Sequence, residues 1–328
     1  MSTSMLKLIL LHRGSRSPFS RGVVFTLLLC FLLCSIISCS SKVIQRDSRG
    51  MKLNPSTIND LPQPKKKLAL LPFFNDGQYG GDDLAVVTVE ELRNELARTQ
   101  EFTIDPADAA IFGTSKEIYT GGGWKLALLS KKARVSGINL VLFGRVVYAR
   151  IREKMDEIGF VRETQSYAES KVEIKVFDMV SNKEVFSEVL DGYANDTAYN
   201  FYLANREERL DYKQELLRYV VKVAVRKSIP KLIEVSSKMS WSGRVAKIMG
   251  SKIYINSGRK SGLQIGDILK VVTEGKEIFD PESGGMIGVT KGEIKGTIEI
   301  IDYFGYDGSI AVLHSGGTIS EGDFIQLY

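Results

Sequence analysis

The chain has 328 residues, of which 44% are hydrophobic and 25% charged. This length and balance predict a globular protein of about two domains. Its formal net charge is +5, but four of the 44 basic residues and none of the 39 acidic residues lie within residues 1–38. The remainder is therefore close to neutral, so its charge gives no support for nucleic-acid binding.

Cysteine and histidine are too scarce for several kinds of site. The three cysteines are Cys30, Cys34 and Cys39, and the two histidines are His12 and His314. Residues 40–328 therefore cannot form an internal disulfide or a cysteine metal site, and a histidine cluster is excluded.

The N-terminal segment has the order of a secretory signal peptide. A basic segment, residues 1–21, precedes the apolar run Gly22–Ser38, which leads to Cys39. A permanent transmembrane helix is the alternative, because 17 residues are at the lower limit for crossing a bilayer. However, Ile36-Ile37-Ser38-Cys39 resembles the bacterial lipobox. This resemblance implies that residues 1–38 are removed and that Cys39 carries acyl chains such as palmitate.

The residue after the lipobox cysteine bears on localisation. Ser40 stands where lipoproteins retained in the inner membrane have an aspartate. The resemblance thus implies a lipid-anchored protein on the periplasmic side of the outer membrane. Residues 39–66 are polar and rich in proline, which predicts a flexible tether. The run Lys65-Lys66-Lys67 at its end is predicted to be a solvated entry to a strand, with contact to anionic lipid headgroups as the alternative.

Residues 67–236 alternate strand and helix patterns. The predicted elements are a strand at 68–72, a helix at 83–100, a strand at 102–104, a helix at 124–135, a strand at 139–148, a hairpin closed by Ser181-Asn182, and a helix at 207–235. Asp82 or Asp83 is predicted to cap the first helix, and Pro230 to kink or divide the last. This order predicts an α+β fold in which helices pack on a mixed sheet.

Several segments of this region carry a family resemblance. Lys67–Asn75, the Gly80-Gly81 loop, Leu140–Gly144 and Phe177–Val185 follow a pattern similar to the curli secretion lipoprotein (CsgG-like) family, which is related to the N-terminal domain of TolB. The resemblance implies a homo-oligomer in which this domain packs beside copies of itself. Channel members of the family also contribute membrane hairpins. Residues 151–170 carry charges in both alternation phases, and each costs up to about 2–4 kcal/mol against lipid, so a secretion channel is disfavoured.

Residues 240–328 are rich in glycine and in short β patterns. Six strands are predicted, at 243–248, 252–256, 267–273, 296–302, 308–314 and 323–328. Such spacing is typical of a small antiparallel barrel, here predicted to be SH3-like. Gly243–Val271, Asp280–Gly284 and Gly322-Asp323 resemble the C-terminal domain of the flagellar assembly protein FlgT.

The patterns associated with catalysis are incomplete. Gly121-Gly122-Gly123 lacks the Gly-Lys-Ser/Thr ending of a P-loop and is predicted to be a loop-to-helix joint. His314 has no second histidine near it and is predicted to lie at the barrel rim. Sequence-adjacent acids such as Glu90-Glu91 do not share a helix face. We therefore expect a non-enzymatic protein without cofactor or metal.

One aromatic cluster is a candidate for partner binding. Tyr193, Tyr199, Phe201 and Tyr202 occur in a stretch that looks like a loop. If exposed they form a partner surface, and if buried beneath the last helix they belong to the core.

Together, these features predict a structural or assembly component of an envelope complex. The resemblances favour a ring at the flagellar basal body, with outer-membrane lipid, copies of the chain and ring proteins as partners. The alternatives are a CsgG-type secretion component and a lipoprotein regulator of a peptidoglycan synthase.

Overall fold

The computed structural model describes residues 63–126, 129, 137–155, 164–195 and 209–328. Cys39, Tyr199, Phe201 and Tyr202 lie outside these ranges. In the described residues a mixed sheet with helices is followed by a closed antiparallel barrel, so the predicted fold class is confirmed. No helix in these ranges is both long enough and apolar enough to cross a membrane.

The mixed sheet is built from short parallel strands and a long antiparallel meander. The strands of this part are β1 (Lys66–Leu70), β2 (Phe74–Asn75), β3 (Phe102–Thr103), β4 (Tyr119–Thr120), β5 (Gly123–Trp124), β6 (Leu140–Met155), β7 (Thr164–Asp178) and β8 (Lys183–Asn195). β1 pairs in parallel with β3 on one side and with β6 on the other. The β6–β7–β8 meander is antiparallel and ends the sheet at β8, while β2 lies beside β6.

Helices cover the sheet on both faces. They are α1 (Asp83–Thr99), α2 (Pro106–Phe112), α3 (Ser115–Ile118), α4 (Arg209–Arg226) and α5 (Ile229–Ser237). α1, α4 and α5 pack on the face that carries Leu70, Leu142 and Ile174. α2 and α3 pack on the opposite face, over Phe143. The predicted division of the last helix is confirmed, with Pro230 in the first turn of α5, where its missing N–H has no helical partner to lose.

The short helices α2 and α3 begin at capping residues and were not predicted. The Asp105 side chain accepts a hydrogen bond from the Ala107 N–H at 2.9 Å, just before α2. Thr114 and Glu117 form a reciprocal capping box at the start of α3. Each helix is too short to give a periodic pattern, so only these caps mark it.

Asp82 occupies the N-cap position of α1, as predicted, but the expected side-chain cap is wrong. Within the described residues the Asp82 side chain makes no capping hydrogen bond. Asp83 instead accepts a hydrogen bond from Arg218 Nε of α4 at 2.6 Å. The carboxylate therefore links two helices rather than closing the first turn of one.

The predicted helix start at Trp124 is also wrong, because β4 and β5 pair as a hairpin. Gly121 and Gly122 adopt φ values of 64° and 78°, the left-handed conformation that a tight two-residue hairpin turn requires. This turn directs the Trp124 ring onto Phe143 of the sheet, with 4.9 Å between ring centroids. The glycine run is thus a hairpin turn and not a loop-to-helix joint.

The barrel follows the sheet. Its part of the chain contains β9 (Ser242–Met249), β10 (Lys252–Ile255), β11 (Ile268–Val272), β12 (Glu277–Phe279), β13 (Met286–Val289), β14 (Ile294–Phe304), β15 (Gly308–Gly316) and β16 (Phe324–Leu327). The closed order is β10-β15-β14-β11-β16-β9, so all six predicted strands are confirmed. β12 and β13 form an additional hairpin that was not predicted, and it stands outside the barrel ladder.

Buried polar groups join the sheet to the barrel. Asn139 Oδ1 accepts from the Lys67 N–H at 2.8 Å, and its Nδ2 donates to the Ser242 carbonyl at 2.7 Å. Asn256 Nδ2 of the barrel donates to the Gly137 carbonyl at 3.0 Å. These bonds tie the entries of β1 and β6 to β9 and to the end of β10.

The lysine run Lys65-Lys66-Lys67, which leads into β1, belongs to the folded structure. The Lys65 N–H donates to the Ser261 carbonyl of the barrel at 2.8 Å. Lys66 is only 5% exposed. Burial lowers the pKa of its ammonium group, and the negative charge of Glu101 only partly offsets this. The expectation of a solvated run is therefore wrong for Lys66.

Candidate functional site

The two faces of the β6–β7–β8 meander differ sharply. On one face Ile151, Ala168 and Ala194 lie beneath α4, where Leu216 and Val220 bury them. The face on the other side carries large polar and aromatic side chains. We call it the outer face and define it by Tyr148, Arg150, Arg152, Tyr167, Glu169, Lys171, Val189, Asp191 and Tyr193.

The pairing register brings these residues together. Arg150 lies opposite Glu169, which in turn lies opposite Tyr193, and such directly opposed residues share a face. The Tyr167 and Tyr193 ring centroids are 5.8 Å apart. Tyr193 is 61% exposed and Val189 is 54% exposed, so the outer face presents aromatic and apolar area to solvent.

Ion pairs hold the charged side chains of the outer face in place. Glu169 accepts from Arg152 Nε at 2.9 Å and also pairs with Arg150. The Arg150 guanidinium lies 5.0 Å from the centre of the Tyr148 ring. Exposed pairs of this kind add little stability. Their consequence is that both arginines are oriented before any partner binds.

The outer face adjoins a half-buried network at the base of the meander. Glu173 accepts from Trp124 Nε1 at 3.0 Å and from Arg145 Nε at 2.7 Å. Burial disfavours the charge on Arg145, but the hydrogen bond and charge of Glu173 outweigh this and raise its pKa. Tyr119 lies under the same guanidinium at 4.4 Å. The network fixes the β4–β5 hairpin on the sheet and is a structural anchor for the outer face.

The free edge of β8 is partly protected. Lys227 Nζ donates to the Asp191 carbonyl at 2.7 Å, and Lys231 Nζ pairs with Glu188 at 2.5 Å. Lysine side chains that reach over from a helix and its preceding link to cover a sheet edge oppose the addition of another strand. Contact through the side chains of the outer face is therefore favoured over strand addition at β8.

The structure settles the position of one predicted contact residue. Tyr193 lies within strand β8 and is exposed, not in a loop and not in the core. Tyr199, Phe201, Tyr202 and Cys39, the predicted lipidation residue, lie outside the described residues. Tyr148 and Tyr167 were missed, although the alternation seen at Val172–Val176 extends through Tyr167 and could have indicated them.

The candidate metal ligands and His314 are placed as follows. The described residues contain no group of three or more His, Cys, Asp or Glu side chains arranged to hold a metal ion. His314 lies near the exposed end of β15, with Nδ1 3.8 Å from Glu299 Oε2.

No protein-family model matches the chain, and no curated protein matches it in sequence. Similar solved structures include a hypothetical protein from Chlamydia trachomatis, 14% identical with a TM-score of 0.33 over 52% of this chain and 98% of that chain. A lipoprotein from Neisseria meningitidis is 12% identical, with a TM-score of 0.27 over 52% of this chain and 99% of that one. A minor lipoprotein from Acinetobacter baumannii is 12% identical, with a TM-score of 0.27 over 54% and 93%. TM-scores in this range carry no argument about the chain's function.

Proposed function

We propose that the chain is a non-enzymatic lipoprotein, anchored through Cys39 to the periplasmic side of the outer membrane, that builds an envelope complex. The observation that carries this proposal is the outer face of β6–β8. Its exposed Tyr193 and Val189 and its ordered arginines have the composition of a protein-binding surface. The chain then acts by position, holding partners near the membrane.

The complex that we propose is a ring at the flagellar basal body. Support comes from the resemblance of Gly243–Val271 to the C-terminal domain of FlgT and from the order of the two folds along the chain. In this proposal copies of the chain lie side by side, the outer face binds a ring protein, and the barrel contributes a second contact.

One observation weighs against the secretion alternative. Membrane-spanning strands need an apolar face that is free to meet lipid. In the described part of the β6–β7 hairpin, Ile151 and Ala168 already pack under α4, and the opposite face carries Arg150, Arg152 and Glu169. Neither face of this hairpin is therefore an apolar surface free to contact lipid.

The proposal is tested on isolated flagellar basal bodies, with a second outer-membrane lipoprotein as the contamination control. We expect selective enrichment of this chain. Cys39→Ala should release it from the outer membrane, because no acyl chains can then be attached. If the Cys39→Ala chain still fractionates with the outer membrane, the anchor is wrong, and absence from basal bodies removes the flagellar assignment.

Tyr193→Thr tests the outer face. Threonine is β-branched and, like tyrosine, is favoured in strands, so the fold should be preserved while aromatic contact is lost. We expect co-purification with basal bodies to fall about tenfold or more, the effect of removing an interface tyrosine. Tyr79→Thr is the matched control, because Tyr79 is 62% exposed and lies in the loop between β2 and α1, not on a strand of the meander. Equal loss in both variants would argue against the outer face.

A further inference from the structure

An apolar groove opens along the edge of β1. β3 pairs only with Lys66 and Lys67, so no described strand covers β1 beyond them on that side. α1 and α2 flank the open edge, and the groove between them has a volume of about 430 Å³. Phe73 contributes to the floor, and Val86 and Ala110 line the two sides. Its size is in the range of ligand and peptide pockets.

Two charged residues of α1, Glu90 and Arg93, line the groove, and Arg93 is incompletely paired. Arg93 lines it from α1, and its Nε is buried without a hydrogen-bond partner among the described residues. Leaving a buried donor of a charged group unpaired costs free energy, which an acceptor from outside the groove would recover. The groove therefore fits an apolar segment that carries a carboxylate.

The β12–β13 hairpin has the complementary character. It is an insertion between β11 and β14, and the barrel closes without it. Ile278, Phe279 and Ile287 are exposed by 47%, 53% and 56%. A two-stranded hairpin is marginally stable alone, and large apolar residues exposed together on it indicate a binding surface.

The hairpin also supplies a carboxylate. The Asp280 carboxylate at its turn is already hydrogen-bonded within the hairpin, because its Oδ1 accepts from the N–H groups of Glu282 and Ser283 at 2.8 Å. The Glu282 side chain is exposed and has no ion-pair partner in the described ranges. It lies three residues from Phe279, so an acid and an apolar ring sit together at the hairpin tip.

The groove and the hairpin lie on opposite flanks of the molecule. The groove is on the β3 side of β1, whereas Gly288 of the hairpin lies against Lys183, where a Cβ at Gly288 would be 3.5 Å from Lys183 Nζ. Lys183 begins β8, which is separated from β1 by three strand spacings, or about 14 Å. The hairpin of one chain is thus placed to reach a different molecule.

We infer that the β12–β13 hairpin of one copy docks into the α1–α2 groove of a second copy, with Glu282 pairing with Arg93. The inference rests on the homo-oligomer included in the proposed function. Because each copy offers both surfaces, the contact is head-to-tail and repeats from chain to chain. It specifies a ring or a filament rather than a symmetric dimer.

Paired charge reversals test the contact in the full chain, held in nanodiscs of one lipid composition. Arg93→Glu and Glu282→Arg should each raise the dissociation constant for self-association about tenfold or more. The double variant should recover most of the loss, because the pair is restored with its signs exchanged. Asp302→Arg reverses an exposed acid elsewhere on the barrel and is the control. Failure of the double variant to recover association would overturn the inference.

Cysteine crosslinking tests the geometry. Val86→Cys and Ile287→Cys replace exposed residues of the groove rim and the hairpin and are made in two differently tagged copies, expressed together. On oxidation we expect a disulfide-linked dimer that carries both tags, and little product from either variant alone. A Val86→Cys homodimer would indicate a symmetric contact and overturn the inference. So would a crosslink formed within one chain carrying both cysteines.

The oligomeric state of the unmodified chain separates the two proposals. If it self-associates but positions 86 and 287 do not crosslink, the hairpin contact is wrong and the proposed function stands. If it is monomeric, the homo-oligomer and this contact both fail, while enrichment in basal bodies still tests the structural role.

Discussion

The carboxylate of Asp108, in α2, carries an electrostatic cost. It lies near the junction of the sheet and the barrel. Burial raises the pKa of its carboxyl, the negative charges of Asp105 and Asp307 act in the same direction, and Lys67 opposes them. The folded state therefore holds this proton more tightly than the unfolded chain does.

The pH dependence of stability follows from that sign. As the pH rises through the range above the ordinary carboxyl pKa, the folded state must give up a proton it favours, and its stability falls. Asp108→Asn removes the charge, so we expect a higher free energy of unfolding at pH 7. The advantage should shrink as the pH falls below about 4, where the wild-type carboxyl is protonated in both states. Urea unfolding at the two pH values measures it.

Asp302→Asn is the control for this prediction. It removes an exposed aspartate of β14, and we expect less than about 0.5 kcal/mol of change, as for ordinary surface substitutions. An Asp108→Asn protein that is less stable than wild type at pH 7 would show that the carboxylate makes a favourable contact instead.

At the scale of elements, the packing of α4 against the meander depends on a glycine. A Cβ at Gly192 of β8 would lie 2.1 Å from the Val220 carbonyl oxygen and 2.5 Å from Ser170 Oγ. Ser170 Oγ itself donates to the Val220 carbonyl at 3.1 Å. The helix therefore rests directly on the strand backbone, and the apolar side of the meander is sealed at this point.

Gly192→Ala should push α4 away from the sheet. We expect it to destabilise the fold by about 1–3 kcal/mol, as overpacking does, because the clash is with backbone that cannot rotate aside. Gly123→Ala in β5 is the matched control, since its Cβ would meet nothing within 4 Å. Thermal unfolding of the two variants gives the comparison. If the two variants unfold at the same temperature, α4 does not pack closely against Gly192.

The sequence predicts elements well where the pattern is local. The barrel strands follow alternation and glycine turns, and the antiparallel pairing of β7 with β8 follows the Ser181-Asn182 turn. Helices α2 and α3 escape prediction because one or two turns give no periodicity, and their stability comes from packing of Phe112 and Ile118. Trp124 resembles a helix start because the hairpin conformation depends on contacts with Phe143, which the sequence does not reveal.

The outer face was also hard to predict, because its residues meet only through strand pairing. Tyr193 is noticeable in sequence, but its neighbour Tyr167 is 26 positions away and meets it only through the β7–β8 register. Likewise, the Glu169 pairs with Arg150 and Arg152 depend on the β6–β7 register. Surfaces formed by strand pairing are thus harder to predict than the strands themselves.

At the scale of the whole molecule, buried hydrogen bonds couple the sheet to the barrel. Asn139 is 4% exposed and bonds to Lys67 on one side and to Ser242 on the other. Asn139→Ala leaves the Lys67 N–H and the Ser242 carbonyl without this partner, and each unsatisfied buried group costs about 1–3 kcal/mol. We therefore expect a loss of stability of about 2–4 kcal/mol, concentrated at the junction. Ser242→Ala, which keeps its carbonyl bond, should cost less.

The two tryptophans of the chain allow each part to be followed separately. Trp124 reports on the sheet, and Trp241, 2% exposed in the barrel core, reports on the barrel. In Trp124→Phe and Trp241→Phe backgrounds we expect fluorescence to give coincident unfolding midpoints, because the junction makes unfolding cooperative. Adding Asn139→Ala and Asn256→Ala together should separate the midpoints, since both polar bridges are then lost. Midpoints that differ before the asparagines are changed would show that sheet and barrel unfold independently, and contacts made by the barrel would then not stabilise the sheet that carries the outer face.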